Sequence, residues 1–245
     1  MADLTTTLLN AQNPDPNVRT QAEQHLTQAE QSNFPEFVGA LATELSSEDK
    51  DLTVRQLAGL TLKNLLVARD ETLQVAKHDK WKAMDAGARS KVKELLLQTL
   101  RSPQQVARHT AAQACSEIAA VELPYNEWPQ FLAGLMDNVT SAEQPDGVKI
   151  ATLECLGFTC ERLATIDGAP DIPAETTDRM LTTIVDGIRA DRPDPIRLAA
   201  ATALRNSLIF TRKNMENVNE RNMIMQTICE ATQSTDDSVR AAAYE

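Results

Sequence analysis

The sequence predicts an all-α protein built as a solenoid of helical repeats. One observation is a recurring phrase in which a β-branched apolar residue precedes a base and, one turn later, a small residue. Successive copies start 36, 52, 42, 48 and 43 residues apart, and a period of this length is typical of helical repeats. The composition agrees, because 8 glycines and 4% aromatic residues favour Ala/Leu-rich helices over sheet. The copies are Val18-Arg19, Val54-Arg55, a weaker one at Val106, Val148-Lys149, Ile196-Arg197 and Val239-Arg240.

The stretch from Asp194 to Leu204 is the clearest helix start. Asp194 is predicted to be the N-cap, because its carboxylate can accept from the unpaired amides of the first turn. Pro195 then occupies the first helical position, where a missing N–H costs nothing. Other predicted caps are Asp15 or Asn17, Asp146, and Asp236 or Asp237.

The apolar periodicity predicts the remaining helices in order. They are expected at 3–12, 16–31, 34–45, from the second phrase to 67, 73–80 with a bend near Trp81, 85–100, 103–121, 128–139, 146–163, 174–190, 194–211, 216–233 and 236–245. Residues 164–173 contain two prolines and a glycine and are predicted to be a loop. Because the last helix stops within an alanine run, we expect a fragment of a longer solenoid.

Acidic residues precede the repeated bases by three or four positions. The pairs are Asp15/Arg19, Asp51/Arg55, Asp146/Lys149, Asp194/Arg197 and Asp236/Arg240. We expect each aspartate to cap its own helix and each base to bridge an aspartate of its own or the next repeat.

The net charge of −11 argues against nucleic-acid binding, which needs clustered Lys and Arg. An acidic surface suits a basic partner, or simply keeps the protein soluble. No run approaches the ~18 apolar residues of a membrane span, and the N-terminus is too polar for a secretory signal. The four cysteines are expected to be buried in a reducing compartment, so the protein is predicted to be soluble and intracellular.

Catalytic and metal-binding patterns are not found. His25, His78 and His109 stand alone on separate predicted helices, and no phosphate-binding glycine motif is present. We therefore expect a protein that is not an enzyme and has no cofactor and no metal.

Two predicted outer helices carry more apolar residues than one buried stripe requires. They contribute Met180, Leu181, Ile184, Val185 and Ile188, and Met223, Ile224, Met225, Ile228 and Cys229. These side chains either pack within and between repeats or leave an exposed apolar groove that binds a partner; the periodicity favours packing.

Short stretches along the whole chain carry a resemblance to one known family. They are Ala58-Gly59-Leu60, Leu62-Lys63-Asn64, Trp81 with Ala83-Met84-Asp85-Ala86, Leu97-Gln98-Thr99-Leu100, Leu123-Pro124, Trp128-Pro129, Asn138-Val139-Thr140, Thr152-Leu153-Glu154, Leu198-Ala199-Ala200, Asn206-Ser207-Leu208, Ile224-Met225-Gln226 and Cys229-Glu230-Ala231-Thr232-Gln233. Together they resemble the N-terminal part of the importin-β (karyopherin-β) family.

The resemblance implies a right-handed α-solenoid of HEAT repeats, each an antiparallel pair of an outer A helix and an inner B helix. The implied repeats are residues 1–31, 32–69, 70–122 with a preceding insertion, 123–165, 166–212 and 213–245, the last one truncated. The family's importin N-terminal domain would cover residues 22–100.

The resemblance also implies a nuclear transport receptor found in the cytoplasm, the nucleus and the nuclear envelope at the pore complex. Its implied partners are Ran in its GTP form and the Phe-Gly repeats of nucleoporins. Importin-α or cargo would bind only through later repeats absent here, and neither nucleic acid nor membrane is an expected partner.

Family positions imply two sets of site residues. The nucleoporin Phe-Gly site falls on Leu181, Thr182, Val185, Glu220, Met223 and Ile224, and the Ran contacts fall on Lys63 and Asn64. Met223 stands where the family commonly has Phe, and Val185 where it usually has Ile; both substitutions keep the site apolar.

Two alternatives share part of the pattern. Another HEAT scaffold, such as a phosphatase regulatory subunit, would share the recurring phrase but not the stretches around Trp81, Trp128 and Cys229. An enzyme would need a clustered polar pocket that the sequence does not contain.

Overall fold

The computed structural model describes residues 3–166 and 172–245, and this part of the chain contains α-helices and one 3₁₀ turn but no strand. The α-helices are α1 Leu4–Asn10, α2 Pro16–Ser32, α3 Phe34–Ser46, α4 Leu52–Asn64, α5 Glu71–Lys82, α6 Ala86–Thr99, α7 Gln105–Glu122, α8 Phe131–Thr140, α9 Asp146–Leu163, α10 Ala174–Ile188, α11 Asp194–Ser207, α12 Arg212–Glu216, α13 Val218–Ala231 and α14 Asp237–Tyr244. The all-α prediction is therefore confirmed. Of the loop predicted at 164–173, residues 167–171 lie outside the described residues.

The chain forms two compact units that divide within α7, after Cys115. In the first unit α3 packs against α4 and α6, and α1 packs against α2 and α4. In the second unit α9 and α10 both pack against α11, and α13 lies against α10 and α14. Within each unit the helices stack as neighbouring pairs, as expected of helical repeats.

Two predicted caps are wrong. α9 and α11 begin one residue earlier than expected, so Asp146 and Asp194 are the first helical residues and prolines occupy the N-cap positions. Asp15 and Asp236 do cap α2 and α14, each accepting from backbone amides of the first turn. At Asp194 the carboxylate accepts instead from Arg197 of its own helix.

The bend expected near Trp81 lies slightly later, at Met84, between α5 and α6. α5 continues to Lys82, and the Trp81 side chain is completely buried in the core of the first unit. The short helix α12 was not predicted, since the sequence expectation placed residues 194–211 and 216–233 directly in succession.

Only some of the predicted pairs between an aspartate and the base of the recurring phrase form in the structure. Arg197 donates to Asp194 of its own helix as expected, at 2.8 Å. Arg55 instead binds Glu48, with Nη1 at 2.6 Å from Oε2, and Arg240 binds Asp237 rather than Asp236. The Asp51 carboxylate instead caps α4 and accepts from the Thr53 amide.

Arg55 is a buried cation that joins three elements of the first unit. Its Nε donates to the Leu45 carbonyl at the end of α3, at 2.8 Å, and its Nη2 donates to the Ser102 hydroxyl at 3.1 Å. The Arg55 guanidinium holds the pKa of the Glu48 carboxyl below its usual range, chiefly through their hydrogen bonds. Burial of this arginine is tolerated because its donors are satisfied.

Candidate functional site

The predicted nucleoporin residues come together at a groove between α10 and α13. Leu181, Thr182, Val185, Glu220, Met223 and Ile224 all line one cavity of about 150 Å³, together with Asp178 and Asn214. The structure therefore places the six residues in one site, within the second unit.

The floor of the groove is apolar and tightly packed. Leu181, Val185 and Ile224 are 5%, 6% and 1% exposed, so only their edges reach the cavity. Met223 is 51% exposed and forms a wall. The unbranched, polarisable Met223 side chain can adapt its position to an aromatic ring placed in the groove.

The apolar residues that α10 and α13 carry beyond one stripe differ in their burial. On α10 all five apolar side chains are buried, so the packing interpretation holds there. On α13 the side chains of Met223, Met225 and Cys229 are exposed, which also corrects the expectation that all four cysteines are buried. Cys160, by contrast, is fully enclosed, and burial raises its pKa to about 12.

A buried amide fixes the polar end of the groove. Asn214, which is 8% exposed, donates from Nδ2 to Asp178 Oδ1 at 2.6 Å and to Glu220 Oε2 at 2.8 Å. Asn217 caps α13 and donates to the other Glu220 oxygen at 2.5 Å. We call Asp178, Asn214 and Glu220 the polar bridge. It links α10 to α13 through α12 and presents two carboxylates to the groove.

Thr182 contributes less polarity than its hydroxyl suggests. Its Oγ1 donates to the Asp178 carbonyl of its own helix at 2.8 Å. The threonine methyl can therefore turn toward a ligand while the hydroxyl keeps its partner.

The predicted Ran residues lie in the first unit, at the C-terminal end of α4. Lys63 is half-buried and Asn64 is exposed. Lys77 of α5 donates to the carbonyls of Asn64 and Val67, at 2.5 and 2.7 Å, so α5 closes this helix end. Desolvation lowers the pKa of the Lys77 ammonium.

Sequence reasoning missed Asp178 and Asn214. Asn214 precedes the predicted helix in a stretch expected to be a connection, and only the short helix α12 aims its amide between the two carboxylates.

Among the described residues no group of His, Cys, Asp and Glu could hold a metal ion. None of the described helices meets the length and hydropathy needed to cross a bilayer.

The stacked pairs and the groove define a helical-repeat protein, and comparisons with known proteins show which family it is similar to. The family model for the importin-beta N-terminal domain matches residues 22–102. Importin subunit beta-1 of Schizosaccharomyces pombe is 39% identical over 94% of this chain and 26% of its own length. The corresponding protein of Arabidopsis thaliana is 38% identical over 99% of this chain and 27% of its length. The chain is similar to importin subunit beta-1 over nearly all of its own length and spans about a quarter of the length of these relatives.

Solved structures of yeast importin-β, Kap95p, show the same fold. One structure describes how Kap95p binding induces the switch loops of RanGDP to adopt the GTP-bound conformation. Its similarity to this chain has a TM-score of 0.92 at 36% identity. Another is a Kap95:Nup1 complex, with a TM-score of 0.86 at 36% identity. Each match covers 99% of this chain and 28% of the yeast chain.

Proposed function

We propose that this chain is part of a nuclear transport receptor that binds Phe-Gly repeats of nucleoporins and Ran in its GTP form during protein import. The observation that carries the proposal is the groove between α10 and α13, where the six family positions line one cavity with an apolar floor. Kap95p, which shares the fold, is known in complex with Nup1 and acts on the switch loops of Ran. The proposal includes no catalytic step, and it places the protein in the cytoplasm, the nucleus and the nuclear pore.

The groove suits one aromatic ring. A cavity of about 150 Å³ has room for a group of the size of a benzene ring. Burying a phenylalanine side chain contributes about 1.5–3 kcal/mol, so a single contact is weak and is released quickly. Many such contacts along one repeat-rich chain would give useful avidity.

Two methionines on α13 provide a matched test of the groove. Met223 and Met225 are similarly exposed, at 51% and 46%, but only Met223 lines the cavity. A fluorescent Phe-Gly peptide is titrated into the wild type, Met223→Asp and Met225→Asp. We expect about a tenfold loss of affinity for Met223→Asp and little change for Met225→Asp. Ile224, at 1% exposed, is unsuitable because a charge there would disrupt packing.

Equal binding by both variants would place the nucleoporin site elsewhere. Failure of the folded wild type to bind would overturn the nucleoporin part of the proposal and favour another HEAT scaffold.

Ran binding is tested independently on the first unit. Ran loaded with a non-hydrolysable GTP analogue or with GDP is titrated into the wild type, Lys63→Ala and Lys91→Ala. We expect preference for the GTP form and weaker binding of Lys63→Ala, with Lys91, exposed on α6, as the control. No difference between the two lysine variants would remove Lys63 from the interface.

The division into six repeats, with the bounds given above, also remains a proposal. It is supported by the similar contacts of Arg55 and Arg197, which stand at the same place in the second and fifth copies of the phrase.

A further inference from the structure

A lysine of α5 binds the carboxyl-terminal end of α4. The last turn of any helix leaves carbonyl groups without a donor from the same helix. Lys77 supplies such donors, because its Nζ lies 2.5 Å from the Asn64 oxygen and 2.7 Å from the Val67 oxygen. The helix dipole also favours a cation at this end. The Lys77 ammonium therefore satisfies the end of α4 both by hydrogen bonding and by charge.

Gln74 binds the same segment from one turn earlier on α5. Its Nε2 donates to the Leu66 carbonyl at 2.5 Å, and its Oε1 accepts from the Ala68 amide at 2.7 Å. Residues three apart lie on one face of a helix, so Gln74 and Lys77 act side by side. We call these two residues the α5 clasp. Together they pair three carbonyls and one amide between residues 64 and 68.

The α5 clasp can be removed without disturbing the core of the first unit. Trp81, at the far end of α5, is the residue that this helix buries. Leu73 and Val75, beside the clasp residues, are 51% and 54% exposed. This part of α5 is therefore held to α4 by polar contacts more than by apolar packing. Loss of one clasp side chain should release the α4 end locally and leave the unit folded.

The α5 clasp acts on the end of α4 that carries the proposed Ran contacts. Lys63 lies in the last turn of α4, and Asn64 is the last residue of that helix and gives its carbonyl to Lys77. Side chains that recognise a partner must be kept near the productive geometry by the groups around them. Because only the competent arrangement binds, the apparent affinity falls in proportion to the fraction of molecules in that arrangement.

We propose that Gln74 and Lys77 are positioning residues that keep Lys63 and Asn64 in the arrangement that binds Ran. They act through the backbone of α4 and need no contact with Ran themselves. This inference rests on the proposed function and extends its Ran site from the end of α4 to the neighbouring helix.

The test separates the α5 clasp from the rest of α5. Ran loaded with a non-hydrolysable GTP analogue is titrated into the wild type, Gln74→Leu, Lys77→Met, Lys77→Arg and Lys80→Met. Methionine keeps an unbranched chain and removes the donors, whereas arginine keeps the donors. Lys80 is the matched control, because it lies on the same helix but pairs with Glu30 of α2.

We expect Lys77→Met to bind Ran about tenfold more weakly, as it would if the competent arrangement fell to about a tenth of the molecules. Gln74→Leu should weaken binding in the same direction. Lys77→Arg should recover most of the wild-type affinity, and Lys80→Met should stay within about twofold of the wild type.

A second background shows whether Lys77 acts through the end of α4. In the double variant Lys63→Ala, Asn64→Ala, adding Lys77→Met should weaken binding by no more than about twofold, because the side chains that Lys77 positions are gone. A variant that merely weakened the fold would lose the same factor in both backgrounds.

Equal Ran binding by Lys77→Met and the wild type would overturn the inference, and so would an equal loss in the two backgrounds. Both results leave the proposed function standing, because binding by the wild type is measured in the same series. If the folded wild type binds no Ran, the inference and the Ran part of the proposed function fail together.

Discussion

Arg197 and Ser234 are joined by a hydrogen bond of 2.9 Å across 37 positions of the chain. The same guanidinium donates from Nε to the Ile188 carbonyl at 3.1 Å, so it connects the end of α10, the helix α11 and the turn before α14. Arg240 donates to the Ser234 carbonyl at 2.7 Å, so arginines of successive phrases meet at one serine. Arg55, Ser102 and Arg108 repeat this arrangement in the first unit.

Replacing Arg197 with lysine should destabilise the second unit. A lysine cannot reach the Ile188 carbonyl, Asp194 and Ser234 together, so buried polar groups lose partners at a cost of about 2–4 kcal/mol. Arg205→Lys, on the exposed face of the same helix, should change stability by less than about 1 kcal/mol. Urea unfolding followed by circular dichroism measures both, and equal midpoints for the two variants would contradict the prediction.

The Glu48–Arg55 contact should make stability depend on pH. Because the folded-state pKa of Glu48 is lowered, its contribution is complete above the unfolded-state pKa of about 4.3 and is lost as the pH falls through the folded value. Glu48→Gln should therefore lose stability relative to the wild type at pH 7 but much less at low pH. Thermal unfolding from pH 7 to pH 3 tests this; parallel curves for the two proteins would show that Glu48 does not contribute.

Two helical glycines should respond oppositely to alanine. A Cβ at Gly157 of α9 would lie 2.7 Å from the Ala203 Cα of α11, so the helices must separate. At Gly134 of α8 an added Cβ meets nothing within 4 Å. We expect Gly134→Ala to stabilise by up to about 1 kcal/mol and Gly157→Ala to destabilise despite the same gain in helix propensity. Unfolding midpoints shifted in the same direction would refute the packing argument.

Thr152 carries a fully buried hydroxyl with no hydrogen-bond partner among the residues that the structure describes. Thr152→Val keeps the shape and removes this unsatisfied group, so it should stabilise the protein by about 1 kcal/mol or more. Thr159 is an equally buried control whose hydroxyl donates to the Cys155 carbonyl at 2.7 Å. Thermal unfolding should show Thr152→Val as the more stable variant, and the reverse order would mean that Thr152 has a partner in solution.

The polar bridge should make the groove prefer basic peptides. Asp178 and Glu220 share one neutral amide, and neither pairs with a lysine or arginine of the described chain. A lysine beside the phenylalanine should bind several-fold more tightly than an aspartate there, and more so at low salt. In the double variant Asp178→Asn, Glu220→Gln the preference should largely disappear; an unchanged preference would assign it to other charges.

Periodicity could predict the helices but not every end of them. The apolar stripe of α11 and the recurring phrase are local properties, so the all-α repeat pattern follows from the sequence. The start at Asp194 was misplaced by one residue, because Pro193 and Pro195 both suit the beginning of a helix. The complete burial of Trp81 could not be predicted, because it depends on helices distant in sequence.

Most of the residues that line the groove could be predicted from the sequence, but their arrangement in space could not. The excess of apolar residues on α13 left exposure near Met223 as an open alternative to packing, and the family resemblance supplied the site residues on both helices. The position of the Asn214 amide depends on how α12 sits between two helices, which no spacing in the sequence encodes.

The two helices that form the groove, α10 and α13, differ in how many of their residues are buried. α10 buries seven residues, whereas α13 buries only Ile224 and Ala231. A helix with so few buried contacts opens locally at a low free-energy cost, so amide hydrogens of α13 should exchange faster than those of α10. The α10 side of the groove is therefore expected to stay fixed while the α13 side fluctuates. If the groove binds an aromatic ring as proposed, the fluctuation of α13 would help to set the rates at which the ring enters and leaves.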